Sequence, residues 1–341
     1  MPITLKDIAE RAKVSQAAVS IAMGSSGRIS DETRKRILKI ANEMGYRPNL
    51  LVHGIQKGRT MTVGVLMNFM QDAFNARLFN GIHDNLSTAN YVPIVLMPSK
   101  VTPVLDQIHS LIDRRVDGIL LRPSAEALWE RHLNEALDRN VPVVSVDVEP
   151  QAETHHIDFV GTDDIGGAQM AADALLEANH KHLGVITTGS FPDGMYFRRE
   201  GFEKRVAEHR HATCVSISEP WRFDIDGYDA AMKMLTLNPR PTAIFVTMDQ
   251  LARGVYRAAK EMGLSIPGDL SVVGFADNPI ATLLDPKLTT LHQLPEEIGG
   301  RAASLLLQRI KEGDQQSERE RILIKPDLAV RDSMGPAPAD S

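Results

Sequence analysis

The sequence is poor in cysteine and has no long hydrophobic run. Cys214 is the one cysteine among 341 residues, so no intrachain disulfide can form, which fits a reducing compartment. No apolar stretch approaches membrane-spanning length, and the N-terminus lacks the apolar segment and cleavage site of a secretory signal. We therefore expect a cytoplasmic protein with no membrane partner.

The sequence also lacks the motifs of common catalytic sites. It has no glycine-rich phosphate loop, no Gly-x-Ser-x-Gly turn and no His-Glu-x-x-His segment. Histidines are paired at His155-His156, His180-x-His182 and His209-x-His211, but no cysteine or carboxylate cluster stands at ligand spacing around them. We therefore predict no catalytic residue, no metal site and no cofactor, which disfavours an enzyme.

Charge is distributed unevenly along the chain. The overall net charge is −6, which taken alone argues against a nucleic-acid partner. Residues 1–60, however, contain 11 of the 38 Lys and Arg residues and only 5 of the 44 Asp and Glu residues. A basic head (residues 1–60) followed by an acidic body (residues 61–341) indicates that only the head contacts nucleic-acid phosphate.

Residues 4–23 have the pattern of two short helices joined by a tight corner. Thr4 with Asp7 resembles a capping box, and Ser15 is a favourable N-cap for the second helix. Because only residues 13–14 separate the helices, they must cross steeply, as in a helix-turn-helix unit whose second helix enters the DNA groove. The outward residues of that reader helix are predicted to be Gln16, Ala17, Ser20 and Ile21.

A third helix is predicted from Ser30 to Gly45, with Asp31 and Glu32 near its positive end. It carries a basic run that is either a solvated helix face or a surface for DNA phosphate, and its place next to the reader helix favours phosphate. The run consists of Arg34, Lys35, Arg36 and Lys39.

The head resembles that of the LacI/GalR family of bacterial transcription regulators. Three motifs carry the resemblance: Leu5-Lys6-Asp7-Ile8-Ala9, Val14-Ser15 with Val19-Ser20, and Gly45-Tyr46-Arg47-Pro48-Asn49. The resemblance implies a helix-turn-helix DNA-binding domain at 1–47, a hinge helix and linker at 48–60, and an effector-binding and dimerisation domain at 61–333. It implies DNA contacts at Thr4, Ser15, Gln16, Ala17, Ser20, Ile21, Arg28, Arg34, Asn49, His53 and Ile55.

The reader helix departs from the family pattern. Ala18 and Ile21 stand where Thr and Arg are common. Ala17 and Ile21 therefore offer only apolar contacts, such as with a thymine methyl group, while Gln16 is able to pair with adenine. We expect a double-stranded DNA operator of unusual sequence.

The hinge segment departs from the pattern as well. Val52 and Gly54 are poor helix formers, so a helix here is marginal and is expected to fold only against a partner. By the resemblance, Ile55 takes the position of the residue that wedges between base pairs in the minor groove. His53 stands where a phosphate-contacting Arg is common, and a solvated linker histidine is an equally open interpretation.

From Thr62 onward, apolar strands alternate with helical stretches in two consecutive series. This alternation predicts an α/β body of parallel sheets in two lobes, with a ligand cleft at the carboxyl ends of the strands. The resemblance extends to a periplasmic-binding-protein-like body and implies three chain crossings, near 160, 290 and 322. Lobe 1 is then expected at 61–160 and 291–321, lobe 2 at 161–290 and 322–333 with the strand Ile322-Leu323-Ile324, and a disordered tail at 334–341.

Polar and aromatic residues at predicted strand ends are the candidates for the effector site. Arg198, in the motif Arg198-Arg199-Glu200-Gly201-Phe202, matches a ligand-contacting Arg of the family, and the alternative is an ion pair between the lobes. Asp147 either holds vicinal hydroxyls of the ligand or caps a turn. For Asp249 and Asp277, contact with the ligand and a structural role, in which they cap helices and hold the geometry of the lobes, are equally open. The full set is Asn68, Phe74, Asp147, Arg198, Trp221, Phe223, Asp249, Asp277 and Gln293.

Two apolar replacements near this set weaken a simple sugar assignment. Met248 and Ala276 stand where the family has polar residues, which favours a less hydroxylated ligand or one anchored mainly by Arg198. We predict a homodimeric, ligand-responsive repressor of carbohydrate or related catabolic genes, with a sugar, sugar acid or sugar phosphate as effector. Two alternatives stay open: a solute-binding receptor without a DNA role, and a sugar-processing enzyme.

Overall fold

A computed structural model describes residues 3–23, 27–46, 59–67, 72–97, 103–122, 136–149, 157–189, 193–220, 225–313 and 318–339. The chain divides into two units, Met1–Thr60 and Met61–Ser341, which are described in turn. Among the described residues, no helix is long and apolar enough to cross a membrane.

The first unit contains three short helices, α1 (Leu5–Ala12), α2 (Gln16–Met23) and α3 (Asp31–Glu43). Each helix contributes a fully buried aliphatic side chain to a common core, namely Ile8, Val19 and Ile37. Thr4 and Asp7 close a capping box at the start of α1, and Lys13 turns the corner before α2 with a left-handed φ of 54°. The predicted helix-turn-helix head is confirmed.

The second unit alternates strands and helices. Its described helices are α4 (Ala73–Thr88), α5 (Val104–Asp113), α6 (Asp164–Glu177), α7 (Gly194–Ala207), α8 (Tyr228–Leu235), α9 (Asp249–Glu261), α10 (Ile280–Leu283) and α11 (Pro295–Glu312). Its described strands are β1 (Thr62–Leu66), β2 (Val92–Leu96), β3 (Gly118–Leu121), β4 (Val143–Val146), β5 (Asp158–Thr162), β6 (His182–Thr188), β7 (Thr213–Glu219), β8 (Ala243–Val246), β9 (Ser271–Ala276), β10 (Thr289–His292), β11 (Arg321–Ile324) and β12 (Asp327–Ala329).

The strands form two six-stranded sheets, one in each lobe. In lobe 1 the order is β11-β5-β4-β3-β1-β2, and in lobe 2 it is β12-β10-β9-β8-β6-β7. Every described pair is parallel except that of β10 with β12. Inner strands such as β3 and β8 are buried along their whole length, as expected where helices cover both faces of a sheet. The predicted α/β body with parallel sheets in two lobes is confirmed.

Helix α11 returns the chain to lobe 1 and packs closely against α4. A Cβ atom on Gly81 would overlap the carbonyl oxygen of Glu296, and a Cβ atom on Gly299 would overlap that of Leu78. The two helices therefore lie backbone to backbone, which is possible because these positions carry no side chain.

The strand Ile322–Ile324 belongs to lobe 1, so its predicted place in lobe 2 is wrong. Strand β11 pairs in parallel with β5 along its whole length. Its start is held by Asp158, whose carboxylate accepts hydrogen bonds from the Glu320 backbone N–H at 2.8 Å and from Nε and Nη2 of Arg309 at 2.9 Å. The last crossing therefore follows β11 and precedes β12.

The predicted disorder of the tail is wrong for residues 334–339. The Gly335 backbone N–H donates to Oγ of Ser271 at 3.0 Å, and the Ala337 N–H donates to the Ala178 carbonyl oxygen at 2.9 Å. These hydrogen bonds hold the segment on lobe 2, because they pair backbone N–H groups of the tail with acceptors of that lobe.

Candidate functional site

Helix α2 presents its predicted reading residues to solvent. Gln16 and Ala17 are exposed, Ser20 and Ile21 are partly exposed, and Val19 faces the core. The helix therefore has one buried face and one face that is accessible to a DNA groove.

Thr4 and Ser15 cap helices α1 and α2. Oγ of Ser15 accepts a hydrogen bond from the Ala18 backbone N–H at 3.2 Å, and Oγ1 of Thr4 accepts one from the Asp7 N–H at 3.3 Å. Such caps satisfy N–H groups that have no partner within their helix. Both residues thus hold the helix-turn-helix unit in place, a structural role that is separate from their predicted DNA contacts.

Arg34 connects α3 to the end of α2. Its Nη1 donates to the Ala22 carbonyl oxygen at 3.3 Å, and a cation is favourable at the carboxyl end of a helix. The basic side chains of the head that are exposed include Arg28, Lys35, Arg36 and Lys39. Arg34 therefore positions the reader helix, and these exposed side chains are available for phosphate.

Gly27 lies directly against the reading face. Its φ is 128°, and a Cβ atom there would stand 2.5 Å from Cγ2 of Ile21. Only a residue without a side chain fits at this distance, so Gly27 helps to set the position of Ile21.

Six of the predicted contacts lie outside the described residues. They are Asn49, His53 and Ile55 of the hinge segment, and Asn68, Trp221 and Phe223 of the body. The other candidates of the body lie in described segments.

Arg198 on α7 forms a buried ion pair within lobe 2. Its Nε donates to Oδ1 of Asp164 at 2.7 Å, and its Nη1 donates to the Thr247 carbonyl oxygen at 2.9 Å. The guanidinium carbon lies 4.0 Å from the centre of the Phe275 ring, and only 5% of Arg198 is exposed. All these partners belong to lobe 2, so the interpretation of Arg198 as an ion pair between the lobes is wrong.

Asp164, the partner of Arg198, was not predicted from the sequence. Burial raises its pKa to about 7, Arg198 opposes this rise, and the charges of Asp147 and Asp193 add to it. The charge of Asp147, a residue of lobe 1, thus acts on this buried carboxylate of lobe 2.

Asp193 caps α7 next to this ion pair. Its Oδ1 accepts a hydrogen bond from the Tyr196 backbone N–H at 3.1 Å, and burial raises its pKa. The following residue is Gly194, where a Cβ atom would lie 3.0 Å from Oδ2 of Asp164. The small residue lets the start of α7 approach the buried carboxylate.

In lobe 1, Asp147 pairs with Arg122, another residue that was not predicted. Nη2 and Nε of Arg122 donate to the same oxygen, Oδ2 of Asp147, at 2.7 and 3.1 Å. The guanidinium also lies 5.7 Å from the centre of the largely buried Phe74 ring. Among the described residues, the Asp147 carboxylate accepts hydrogen bonds from the Arg122 side chain. Residues 150–156, which follow it, lie outside the described part of the chain, so the turn-capping interpretation of Asp147 stays a prediction.

Asp249 is fully buried and holds lobe 2 together. Its Oδ1 accepts a hydrogen bond from Oγ1 of Thr290 at 2.6 Å, and its Oδ2 accepts one from the Asn278 backbone N–H at 2.7 Å. Burial raises its pKa to about 6, and the two hydrogen bonds oppose that rise. Both oxygens are engaged inside the lobe, which favours the interpretation of Asp249 as a holder of lobe geometry.

Asp277 and Gln293 also bind their neighbours. Oδ1 of Asp277 accepts a hydrogen bond from Nη2 of Arg331 at 2.6 Å, and its Oδ2 lies 2.9 Å from Nδ1 of His292. Nε2 of Gln293 donates to Oγ1 of Thr162 at 2.9 Å. Thr162 ends β5 and Gln293 follows β10, so these contacts hold the strands where the chain crosses between the lobes.

Polar contacts join the lobes beside the crossings. Arg77 on α4 donates to both carboxylate oxygens of Glu296, at 2.6 and 2.9 Å, and its Nη2 lies 3.4 Å from Nε2 of His292 in lobe 2. Nδ1 of His292 lies 2.9 Å from Oδ2 of Asp277, so the ring stands between a carboxylate of lobe 2 and the Arg77 guanidinium of lobe 1. Gln250 of lobe 2 also reaches Asp72 of lobe 1, at 3.5 Å.

Comparison with known proteins gives relatives that match over nearly the whole chain. Catabolite control protein A from Priestia megaterium is 30% identical over 311 residues, which cover 90% of this chain and 92% of the relative. The ribose operon repressor from Haemophilus influenzae is 29% identical over 340 residues, with 97% and 98% covered. Among solved structures, the Lac repressor dimer bound to operator and the anti-inducer ONPF shares the fold, with a TM-score of 0.83, 24% identity, and 98% and 100% covered.

A helix-turn-helix head and a two-lobed body with paired charges at its strand ends define a ligand-binding transcription regulator. Residues 4–49 match the model described as bacterial regulatory proteins, lacI family, and residues 172–334 match that of a periplasmic binding protein-like domain. The chain belongs to the LacI family of bacterial regulatory proteins. It is a DNA-binding regulator and not an enzyme.

Proposed function

We propose that the protein is a homodimeric transcriptional repressor that binds a palindromic double-stranded DNA operator and responds to a small molecule between the lobes of its body. The observation that carries this proposal is the solvent-facing side of α2, where Gln16 and Ala17 are exposed on a capped helix. The relatives support it, since they include a ribose operon repressor and the repressor PurR, both from Haemophilus influenzae. A repressor of this kind acts in the cytoplasm.

The proposal assigns different DNA contacts to different parts of the head. Gln16 pairs with an adenine, and Ala17 and Ile21 contact thymine methyl groups in the major groove. Arg28 and the exposed basic residues of α3 bind phosphate, and this part of the affinity falls with added salt. Thr4, Ser15, Ser20 and Arg34 support these contacts, and the hinge residues Asn49, His53 and Ile55 extend them along the operator.

A second copy of the chain is proposed to cover the outer edge of the lobe 1 sheet. Strand β2 forms that edge, and its Val92 is 57% exposed and the adjoining Met97 55% exposed. An apolar edge strand in water favours association with another surface. A symmetric dimer presents two reader helices to two half-sites, which explains why the operator is proposed to be palindromic.

The effector is proposed to be a sugar, sugar acid or sugar phosphate held between the charged groups of the two lobes. A relative that supports this is a LacI-family regulator from Enterococcus faecium with bound ribose, 28% identical with a TM-score of 0.68, covering 81% of this chain and 99% of that chain. Ligand binding changes the angle between the lobes and thereby the spacing of the two heads. A coupling free energy of about 1–3 kcal/mol changes operator affinity about 5- to 150-fold. The genes under control are proposed to serve carbohydrate or related catabolism.

Selection of duplexes from a random-sequence pool by the full-length protein, followed by gel-shift titration, tests this proposal. We expect a palindromic sequence to bind about 10³-fold more tightly than bulk DNA. Gln16→Ala is expected to lower affinity for that sequence about 10-fold, because one base contact is lost. The control is Asn42→Ala, which alters an exposed neutral residue of α3. A protein that prefers no duplex over bulk DNA is not a repressor of this kind.

A further inference from the structure

His180 lies at the end of the lobe 2 sheet that is opposite to the carboxyl ends of its strands. It precedes β6, and its ring lies between Thr242, which precedes β8, and Ser271, which starts β9. Nδ1 is 2.9 Å from Oγ1 of Thr242, and Nε2 is 3.0 Å from Oγ of Ser271. Nε2 is also 3.1 Å from the carbonyl oxygen of Gly335. Only 1% of His180 is exposed, so the ring is a buried junction between three strands and the C-terminal segment.

The hydrogen-bond partners of the His180 ring in the described part of the chain are all uncharged. Two hydroxyl groups and a carbonyl oxygen suit a neutral imidazole, which donates at one nitrogen and accepts at the other. A buried imidazolium is unfavourable without a negative charge beside it. Burial therefore lowers the pKa of His180, and the hydrogen bond to the Gly335 carbonyl oxygen opposes this. The ionisable side chains nearest in sequence on the surrounding elements form none of the hydrogen bonds of the ring; they are Glu177, Lys181, Arg240, Asp269 and Asp332.

Backbone N–H groups hold residues 334–339 on lobe 2. The Gly335 N–H donates to Oγ of Ser271 at 3.0 Å, and the Ala337 N–H donates to the Ala178 carbonyl oxygen at 2.9 Å. The prolines of this segment have no N–H to donate. The segment is therefore held more weakly than the strands of the sheet, and segments of this kind open locally at a lower free energy than the core.

Ser333, directly before this segment, is held by contacts that do not involve His180. It is fully buried, and its Oγ donates to the Val272 carbonyl oxygen at 2.6 Å and accepts from the Thr289 N–H at 2.8 Å. The Val272 N–H in turn donates to the Ser333 carbonyl oxygen at 2.8 Å. Loss of the His180 contacts therefore frees residues 334–339 and leaves Ser333 in place as a pivot.

We propose that residues 334–339 form a C-terminal latch that closes this end of the lobe 2 sheet while His180 is neutral, and that protonation of His180 opens it. Opening brings the charged ring into contact with water, which removes the cost of burying it among uncharged groups. Because the pKa of His180 is lowered in the closed latch, the closed state is fully favoured above the ordinary value of 6.5 and loses stability as the pH falls below it. The device is separate from the proposed operator and effector sites.

Hydrogen–deuterium exchange of the full-length protein, followed by mass spectrometry of its peptides, tests the proposal. Labelling times are scaled for the pH dependence of chemical exchange, so that only opening of the protein is compared. Between about pH 8 and about pH 5.5 we expect exchange of residues 334–339 to rise about 10-fold, because each pH unit below the pKa of an exposed histidine favours the charged form 10-fold. Peptides from β8 and β9 are expected to keep their exchange rates.

Two histidine variants separate the latch from other groups that titrate in this range. His180→Gln keeps a donor and an acceptor and is uncharged at every pH, so its latch should not open in acid. The matched control is His182→Gln, which should keep the full response, because His182 is half-buried and its Nδ1 faces Oγ1 of Thr213 at 2.9 Å. Burial raises the pKa of Asp164 to about 7 and that of Asp249 to about 6, and both carboxyl groups are present in either variant.

An acid response of residues 334–339 that persists in folded His180→Gln overturns the proposal, because another group then controls the segment. Loss of the response in His182→Gln, or an unchanged rate in the natural protein, overturns it as well. So does an equal rise across β8 and β9, which indicates that the whole lobe loosens. Circular dichroism establishes whether each variant is folded, and if His180→Gln is not, the natural protein and His182→Gln decide between these outcomes.

Discussion

The charged side chains of the cleft region bind one another across element boundaries. Burying such pairs is unfavourable unless the geometry is good, and removing one partner leaves a buried charge without compensation. Changes to these residues are therefore expected to lower folding stability as well as to affect the proposed binding of an effector, which makes conservative variants the informative ones. The pairs are Arg122 with Asp147, Arg198 with Asp164, and Arg331 with Asp277.

Gly27 offers a test of the reading face at the level of one residue. Gly27→Ala places a Cβ atom 2.5 Å from Cγ2 of Ile21, so Ile21 must move. We expect affinity for the selected operator to fall about 10-fold, the order of one lost base contact, in a gel-shift titration.

Gly45→Ala is the matched control for this variant. Gly45 also has a positive φ, of 71°, but no atom lies within 4 Å of where its Cβ would be. It should lose stability through backbone strain and keep its operator affinity. An equal loss of affinity in both variants would show that the position of Ile21 does not matter for reading.

Among the helices, glycines decide how closely neighbours approach. Gly81 and Gly299 bring α4 and α11 into backbone contact, and Gly254 on α9 lies against the backbone of residues 226–228. Glycine within a helix is unfavourable by about 1 kcal/mol relative to alanine, so its use at these positions is explained by packing and not by helix propensity.

The contact between α4 and α11 predicts opposite outcomes for two similar substitutions. Gly81→Ala drives a methyl group into the Glu296 carbonyl oxygen, and we expect a net loss of about 1–3 kcal/mol in the free energy of unfolding. Gly300→Ala, on the same contact, meets Nδ2 of Asn85 at 3.4 Å and the Gly81 carbonyl oxygen at 3.7 Å, which are ordinary van der Waals distances, and should be neutral or stabilising. Urea denaturation followed by circular dichroism measures both, and equal stability of the two variants contradicts the packing described.

How far the sequence predicts these features differs between elements. Helix α2 was predictable because its cap Ser15, its buried Val19 and the short corner before it are all local. The strand Ile322–Ile324 was predictable as a strand, but its partner was not, because a short apolar strand fits the edge of either sheet. The ion pair of Arg309 with Asp158 fixes the strand in the sheet of lobe 1. Because these two residues are 151 positions apart in the chain, no local pattern predicts their contact.

The unpredicted site residues were missed for a different reason. Arg122 directly follows β3, so the strand-end argument that selected Asp147 applied to it equally. Asp164 follows Asp163, which caps α6 by accepting a hydrogen bond from the Gly166 backbone N–H, and a second acidic residue at a helix start is commonly only a favourable charge. Its burial beside Arg198 depends on how α6 and α7 pack, which no local pattern encodes.

For the whole molecule, the proposed dimer is tested through its apolar edge. Val92→Asp places a charge on the exposed edge strand β2, and we expect a monomer in size-exclusion chromatography with light scattering, with weakened operator binding. Val330→Asp is the control, because Val330 is also exposed and apolar but lies beyond β12 in the other lobe. A dimer that persists in Val92→Asp places the interface elsewhere.

The three crossings between the lobes lie at one edge of each sheet, so a rotation about them displaces the opposite edge most. They start or end at β5, β10, β11 and β12, which lie together at one side of the two sheets, while β2 forms the far edge of lobe 1. Four strand spacings separate β5 from β2, about 19 Å, so a rotation of roughly 10° at the crossings displaces β2 by about 3 Å. If the proposed effector rotates the lobes, a small rotation at the crossings thus becomes a larger displacement of β2, the edge where the proposed partner copy binds.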